Sequence, residues 1–278
     1  MHTDSTGTTL APRLVRHPLT VRHLTVTAVR PVTARIVRIT LTGPDLAGLV
    51  ADGPADHVKL FFPDPVTGEV AAPTFGPDGS RQPAAGPVTT RDYTPLAHRP
   101  DVGELDIDFV LHGDDGPASA WAAAARPGDR LAVAGPRGSH LVPEGLGRLV
   151  LVVDETAFPA AARWLRATSV PTTLLLTTVH ETEATYFDGF TGPAVDHDLT
   201  VRVTTDPEAA LRALAPFDPS TLVFLAGEAT ALVPLRHYLR RELGLPAAQV
   251  DASGYWKRDV VALDHHAPLD PTDPDRPG

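Results

Sequence analysis

Residues 91–94 of this 278-residue chain read Arg-Asp-Tyr-Thr, on or just before a predicted strand. A planar guanidinium, an aromatic ring and a hydroxyl fall within four residues. The arginine can fork onto a pyrophosphate. The tyrosine can stack on or bond to a flat ring or its sugar-alcohol chain, and the hydroxyl can donate to a ring nitrogen. Together Arg91, Tyr93 and Thr94 suit a flavin. About twenty residues on comes HGDDGPASAWA, residues 112–122. Gly116 and Pro117 break the strand there, and Pro117-Ala118-Ser119 then opens a helix with a first-turn proline. The free N–H groups of that turn, with the Ser119 hydroxyl, form an anion site suited to a pyrophosphate. Trp121 reads as a packing anchor. Either stretch alone also reads as an ordinary strand or helix start; the pairing at this spacing is far more specific.

The elements that must hold these residues are legible as periodicity. Residues 21–29 and 35–42 are β-branched runs with period-2 alternation, and 57–62 and 104–111 continue the pattern. In the last run Leu105, Ile107, Phe109 and Leu111 share one face, while Glu104, Asp106 and Asp108 are expected to point to solvent. The stretch from Pro63 to Pro87 is broken by proline and glycine and reads as a long loop. Short strands at this spacing predict an antiparallel β-barrel. From about residue 147 the texture changes: RLVLVV at 148–153 is a continuous apolar run, as in a strand buried on both faces. Helices near 156–168, 206–215 and 230–243 then alternate with strands at 172–179, 199–204, 221–226 and 250–255, a βαβ layout with a parallel sheet. The expected division is a flexible N-terminus over 1–20, a β-barrel domain over 21–146, an α/β nucleotide-binding-like domain over 147–262 and a disordered tail over 263–278. Residues 180–198 show no clear period.

Composition sets limits. The chain has no cysteine, so disulfides, thiolate zinc sites, cysteine-ligated iron–sulfur clusters and thiol catalysis are excluded. Redox chemistry would need an organic cofactor or a non-thiolate metal. The formal charge of −10 argues against nucleic-acid binding. No apolar run is long enough to span a bilayer and residues 1–20 lack a hydrophobic signal core, so a cytoplasmic protein without a membrane partner is expected. No GxGxxG follows a strand, no Walker-type loop or HExxH occurs, and the twelve histidines are scattered, so no metal site is expected.

Arg91–Thr94, the run DFVLHGDDGPASAWA from Asp108 and the GPRGS turn at Gly135–Ser139 resemble the FAD-binding half of siderophore-interacting proteins, ferric-siderophore reductases related to the ferredoxin reductases. In the second half, DETAFPA from Asp154, AGEA from Ala226 and SGYWKR from Ser253 resemble motifs of the same family, in the same order. The resemblance implies that Arg91, Tyr93 and Thr94 hold the flavin, with Thr94 nearest its reactive edge. It implies that Gly116, Pro117, Ala118 and Ser119 receive the FAD pyrophosphate, with His112 close by. Asp154 and Thr156 would meet a nicotinamide at a strand end, Glu228 would join the cofactor site, and Tyr255 and Trp256 would cover the cleft. Tyr93, Thr94 and Thr156 are the implied catalytic residues. Lys59, the other lysine Lys257, and Arg258 would attract an anionic ferric siderophore. The implied reaction passes a hydride from NADPH or NADH to FAD, and electrons from there to Fe(III) in the chelate.

Some positions depart from the family pattern. Leu96 stands where a second arginine is expected, Val153 and Asp259 where glycines are, and a Trp-Leu-x-Arg motif near 199–204 is absent. These changes fall mostly on the nicotinamide side and the substrate mouth. They admit two alternatives: the same fold reused in a biosynthetic pathway on an organic substrate, with FAD structural, altered in role or absent, or a binding protein without turnover.

Overall fold

The computed structural model describes residues 9–76, 80–111, 116–188, 198–261, 263–264 and 267–273. The chain divides into two compact units, Leu14–Leu141 and Val142–Gly278 with the segment up to Arg13.

The first unit is built on seven antiparallel strands. In sheet order they are Thr89–Tyr93, Val58–Phe62, Arg130–Ala134, Val21–Pro31, Ile36–Thr42, Glu104–Val110 and Pro95–Arg99. The two edge strands, Thr89–Tyr93 and Pro95–Arg99, are consecutive in the chain, with Thr94 alone between them. The sheet therefore curls until its edges meet at that residue. Pro95, which cannot donate to a ladder, sits at the first position of an edge strand, where that loss is tolerated. Leu24, Val26, Ile39, Leu41, Leu60, Ile107 and Phe109 fill the interior of the curl. The helix Pro117–Ala124 closes it, packing Ala118 and Ala122 into that core and setting Trp121 against Phe62 and Phe109 at 5.4 and 5.7 Å between ring centroids. The predicted loop 63–87 carries a hairpin of two-residue strands, Thr74–Phe75 and Arg81–Gln82.

One expectation is overturned. Asp106 and Asp108 do not face solvent but are buried. The register sets Arg38 opposite Asp108 and Thr40 opposite Asp106. Arg38 forks onto Asp108 at 2.6 and 2.7 Å, and Thr40 donates to Asp106 at 2.7 Å. Arg99 on the adjacent edge strand grips Asp106 and Glu104 together. Charges at such depth persist because each has a geometrically matched partner. Burial pushes the Asp106 carboxyl up, but hydrogen bonds from Arg99 and Thr40 outweigh it and hold the group below its ordinary value.

The second unit holds a five-stranded parallel sheet. Its order is Leu199–Val203, Thr172–Leu176, Arg148–Val153, Thr221–Glu228 and Val250–Trp256. In chain order this is 3-2-1-4-5, the doubly wound arrangement with its switch point between the first and fourth strands. The first strand is buried on both faces, as its unbroken apolar run requires. Helices Phe158–Ala167, Pro207–Arg212 and Ala229–His237 cover the sheet, and the last continues for one π-type turn to Glu242. Within the aperiodic stretch, Glu181–Phe187 forms a 3-10 helix whose Tyr186 and Phe187 pack on Phe158. No described helix is long and apolar enough to cross a membrane.

Candidate functional site

In the first unit the fold brings the two sequence motifs together. The helix Pro117–Ala124 packs on the strand Thr89–Tyr93, which carries Arg91 and Tyr93. Alternation turns Arg91 and Tyr93 toward the inner face of the sheet. There the Tyr93 ring lies 4.5 Å from Phe109. Burial pushes the Tyr93 hydroxyl well above its ordinary pKa, against a smaller downward pull from Arg91, so it remains a proton donor at any physiological pH. Thr94 is buried at the seam where the sheet edges meet.

This geometry fits the FAD expected from the sequence. Arg91 is half-buried; its Nη1 donates to the Thr90 carbonyl at 2.6 Å, and it pairs with no carboxylate among the described residues, so its remaining N–H groups can meet a phosphate. The helix opens from an extended Gly116 with no side-chain cap and no acidic residue in its first turn, which leaves its positive end uncompensated by the helix's own side chains. Gly116 is half-buried and Pro117 exposed, whereas Ala118 and Ser119 are buried against the sheet. His112 lies outside the described residues. Leu96, at the position of the expected second arginine, is only 2% exposed and packs as a core residue.

Lys59 is placed apart from these groups. Its neighbours Val58 and Leu60 face the core, so Lys59 projects from the opposite face of the sheet. Its ammonium meets both oxygens of Asp92 at 2.7 and 2.8 Å. A further cluster escaped the sequence reading. Ser139 of the GPRGS turn donates to Asp56 at 2.6 Å and lies 2.8 Å from His17 Nε2. The serine occupies the middle of this chain, is fully buried and gives its proton to the carboxylate. A nucleophile needs the histidine between serine and acid, so this cluster is a clamp on the turn.

In the second unit the sites meet at the carboxyl end of the sheet. Asp154 follows the first strand and is nearly buried. Its Oδ1 accepts from the Thr156 amide at 2.9 Å and the Thr156 hydroxyl at 2.5 Å. Its Oδ2 accepts from the Glu228 amide and the Trp256 indole, each at 2.8 Å. One carboxylate thus ties the ends of the first, fourth and fifth strands across the switch point. Burial pushes the Asp154 carboxyl up, while hydrogen bonds from Thr156 and Trp256 pull against that. Gly227 makes the arrangement possible: at φ +148 a Cβ there would lie 2.5 Å from Asp154 Oδ2. Val153, at the position where the family pattern has glycine, is buried.

Glu228 is occupied as a helix cap. Its carboxylate accepts from the Ala231 amide at 2.7 Å and from the Arg258 amide at 3.2 Å. Tyr255 is half-buried, and Trp256 is 39% exposed although its N–H is tied down. Lys257 and Arg258 are exposed beside it. Asp259 adopts φ +62, a left-handed conformation that explains why glycine is expected there and that aspartate tolerates better than most residues. Among the described residues no group of three or more His, Asp or Glu is placed to hold a metal ion.

A curled antiparallel sheet followed by a doubly wound parallel sheet defines the ferredoxin reductase-like class, and ferredoxin reductase structures near 17% identity share this fold. The siderophore-interacting FAD-binding domain family matches residues 25–140, and the siderophore-interacting protein family matches residues 147–259. The NADPH-dependent ferric-chelate reductase of Escherichia coli is 36% identical over 253 residues, which cover 88% of this chain and 96% of that protein. Ferric vibriobactin reductase ViuB of Vibrio cholerae is 30% identical over 248 residues, covering 82% and 86%. The crystal structure of a siderophore utilization protein from T. fusca superposes with a TM-score of 0.76 at 39% identity, over 92% of this chain and all of that one. The chain belongs to the siderophore-interacting protein family.

Proposed function

We propose that this chain is an FAD-dependent reductase of ferric siderophores, using NADPH as electron donor. The observation that carries the reading is the inner-face pair Arg91 and Tyr93, with Thr94 at the adjoining seam and an uncapped helix start beside them, in a domain that matches the siderophore-interacting FAD-binding family. Relatives named as ferric-chelate and ferric vibriobactin reductases support the substrate class, and the name of the former supports NADPH.

Bound FAD supplies the chemistry that turns a two-electron hydride donor into single electrons for Fe(III). Arg91 and the first turn from Gly116 hold its pyrophosphate. Tyr93 lines the ring site from the Phe109 side and keeps its hydroxyl protonated there. Thr94, fixed where the sheet edges meet, would offer its hydroxyl to the bound ring. In the second unit the strand ends around Asp154, Thr156 and Glu228 receive the nicotinamide dinucleotide at the switch point. Lys257 and Arg258, exposed beside Trp256, draw in the anionic chelate by charge. Lys59, held by Asp92 on the other face of its sheet, contributes less. Fe(II) binds hard oxygen ligands more weakly than Fe(III), so reduction releases the metal.

The test is preparative and spectroscopic. The purified protein should be yellow and should release FAD on denaturation. A colourless protein that takes up no added FAD sinks the proposal.

A further inference from the structure

We propose that Asp154 is a positioning residue, a buried carboxylate whose task is to pin the Trp256 indole so that one exposed aromatic face stands fixed at the switch point. The inference rests on the nicotinamide site proposed above and assigns this pair a role within it.

The acceptor count carries the argument. An ionised carboxylate has about four lone-pair sites. The Thr156 amide and hydroxyl take two on Oδ1, and the Glu228 amide and Trp256 Nε1 take two on Oδ2. Asp154 has no acceptor left for a ligand, so it acts through what it holds. Three of its four donors belong to backbone and side chain already fixed by strand ends and the following 3-10 turn. The fourth is different. Trp256 is the last residue of its strand and 39% exposed, and a ring so placed would ordinarily sample several rotamers. The charge-assisted bond at 2.8 Å removes that freedom. The backbone accommodates this: Gly227, at φ +148, leaves the space in which the carboxylate sits. A pinned, solvent-facing indole beside the ends of the first and fourth strands presents a flat apolar surface to a planar ring, and the incoming nicotinamide is such a ring.

Two variants separate pinning from general support. Asp154→Asn keeps the shape but turns an NH₂ toward two N–H or O–H donors. Trp256→Phe keeps an aromatic face and deletes the tether. Each should raise KM for NADPH about tenfold, in line with loss of one charge-assisted bond, with kcat changed less than twofold and FAD content unchanged. The double variant should be no worse than either single one. Additive effects would overturn the proposal.

A readout independent of turnover is the indole N–H in ¹⁵N-labelled protein, where the chain's three tryptophans give three resonances. The Trp256 N–H should exchange slowly in the native protein despite its exposure, and rapidly in Asp154→Asn. Rapid exchange in the native protein refutes the tether. If NADPH fails to reduce the native flavin at all, the proposed function falls, and the exchange measurement still decides whether Asp154 holds Trp256. If Asp154→Asn does not fold, Trp256→Phe and native exchange carry the test, and an unchanged KM with rapid exchange overturns it.

Discussion

Replacing Gly227 with alanine would set a methyl carbon 2.5 Å from Asp154 Oδ2 and 2.6 Å from its Cγ, closer than real Cβ contacts approach. Two costs add. The backbone at φ +148 is one that L-residues rarely adopt, worth about 1–3 kcal/mol. Relieving the clash must also push Asp154 away from donors whose charge-assisted bonds contribute about 1.5–3 kcal/mol. The sum is about 4 kcal/mol. For a urea m-value of about 2 kcal/mol/M this moves the unfolding midpoint of the second unit by about 2 M. Gly244→Ala is the internal control. It lies in the same unit at φ +68, but a Cβ there meets nothing within 4 Å. It should therefore cost only the backbone strain, about 1–2 kcal/mol. Urea titrations followed by far-UV dichroism compare the two. Equal midpoints would refute the claim that the carboxylate is wedged against Gly227, and with it the three-strand tie.

Arg91→Ala should weaken FAD binding about tenfold or more, through loss of a bidentate charge-assisted contact, read by fluorescence titration of the apoprotein; Arg91→Lys should restore only part of it. The folded Asp106 carboxyl titrates below its unfolded counterpart, so its contribution to stability is present above about pH 4 and fades as pH falls through the depressed folded value. Asp106→Asn should accordingly flatten the acid limb of the thermal-stability profile, and an unchanged limb contradicts the assigned ion pairs. Lys257→Ala with Arg258→Ala should weaken binding of an anionic ferric chelate while sparing FAD content, and Lys59→Ala should do so less; the reverse order, measured by flavin fluorescence quenching, would place the chelate on the Asp92 side.

The sequence carried the elements well where a single periodicity governs them. The runs at 21–29, 35–42, 57–62, 104–111 and 148–153 all became strands, because one apolar face or two must be buried whatever the remaining fold. The siderophore-interacting family is legible from motifs in both halves. Alternation gives two faces to a strand, however, and does not say whether the polar face is covered. Alternation alone therefore predicts a wet face for Asp106 and Asp108, although Arg38 and Arg99, at polar positions of neighbouring strands, signal that the charges have partners. The Thr94 seam was hidden for another reason: which strands become edges is a property of the whole sheet. The Asp154 tie was hidden for the same cause, since it joins residues 74 and 102 positions apart. Its visible trace was glycine directly before the capping Glu228. The strand Arg130–Ala134 and the 3-10 helix Glu181–Phe187 are too short or too tightly wound to show a strand or α-helix period.

The visible spectrum of the purified protein, recorded anaerobically before and after NADPH and then a ferric siderophore, tests the account most directly. An oxidised flavin spectrum that bleaches with NADPH and returns on adding the ferric chelate, with Fe(II) captured by a ferrous-specific dye, is the result expected. An FAD-replete sample that neither bleaches with NADPH nor, once reduced chemically, passes electrons to the chelate would contradict it.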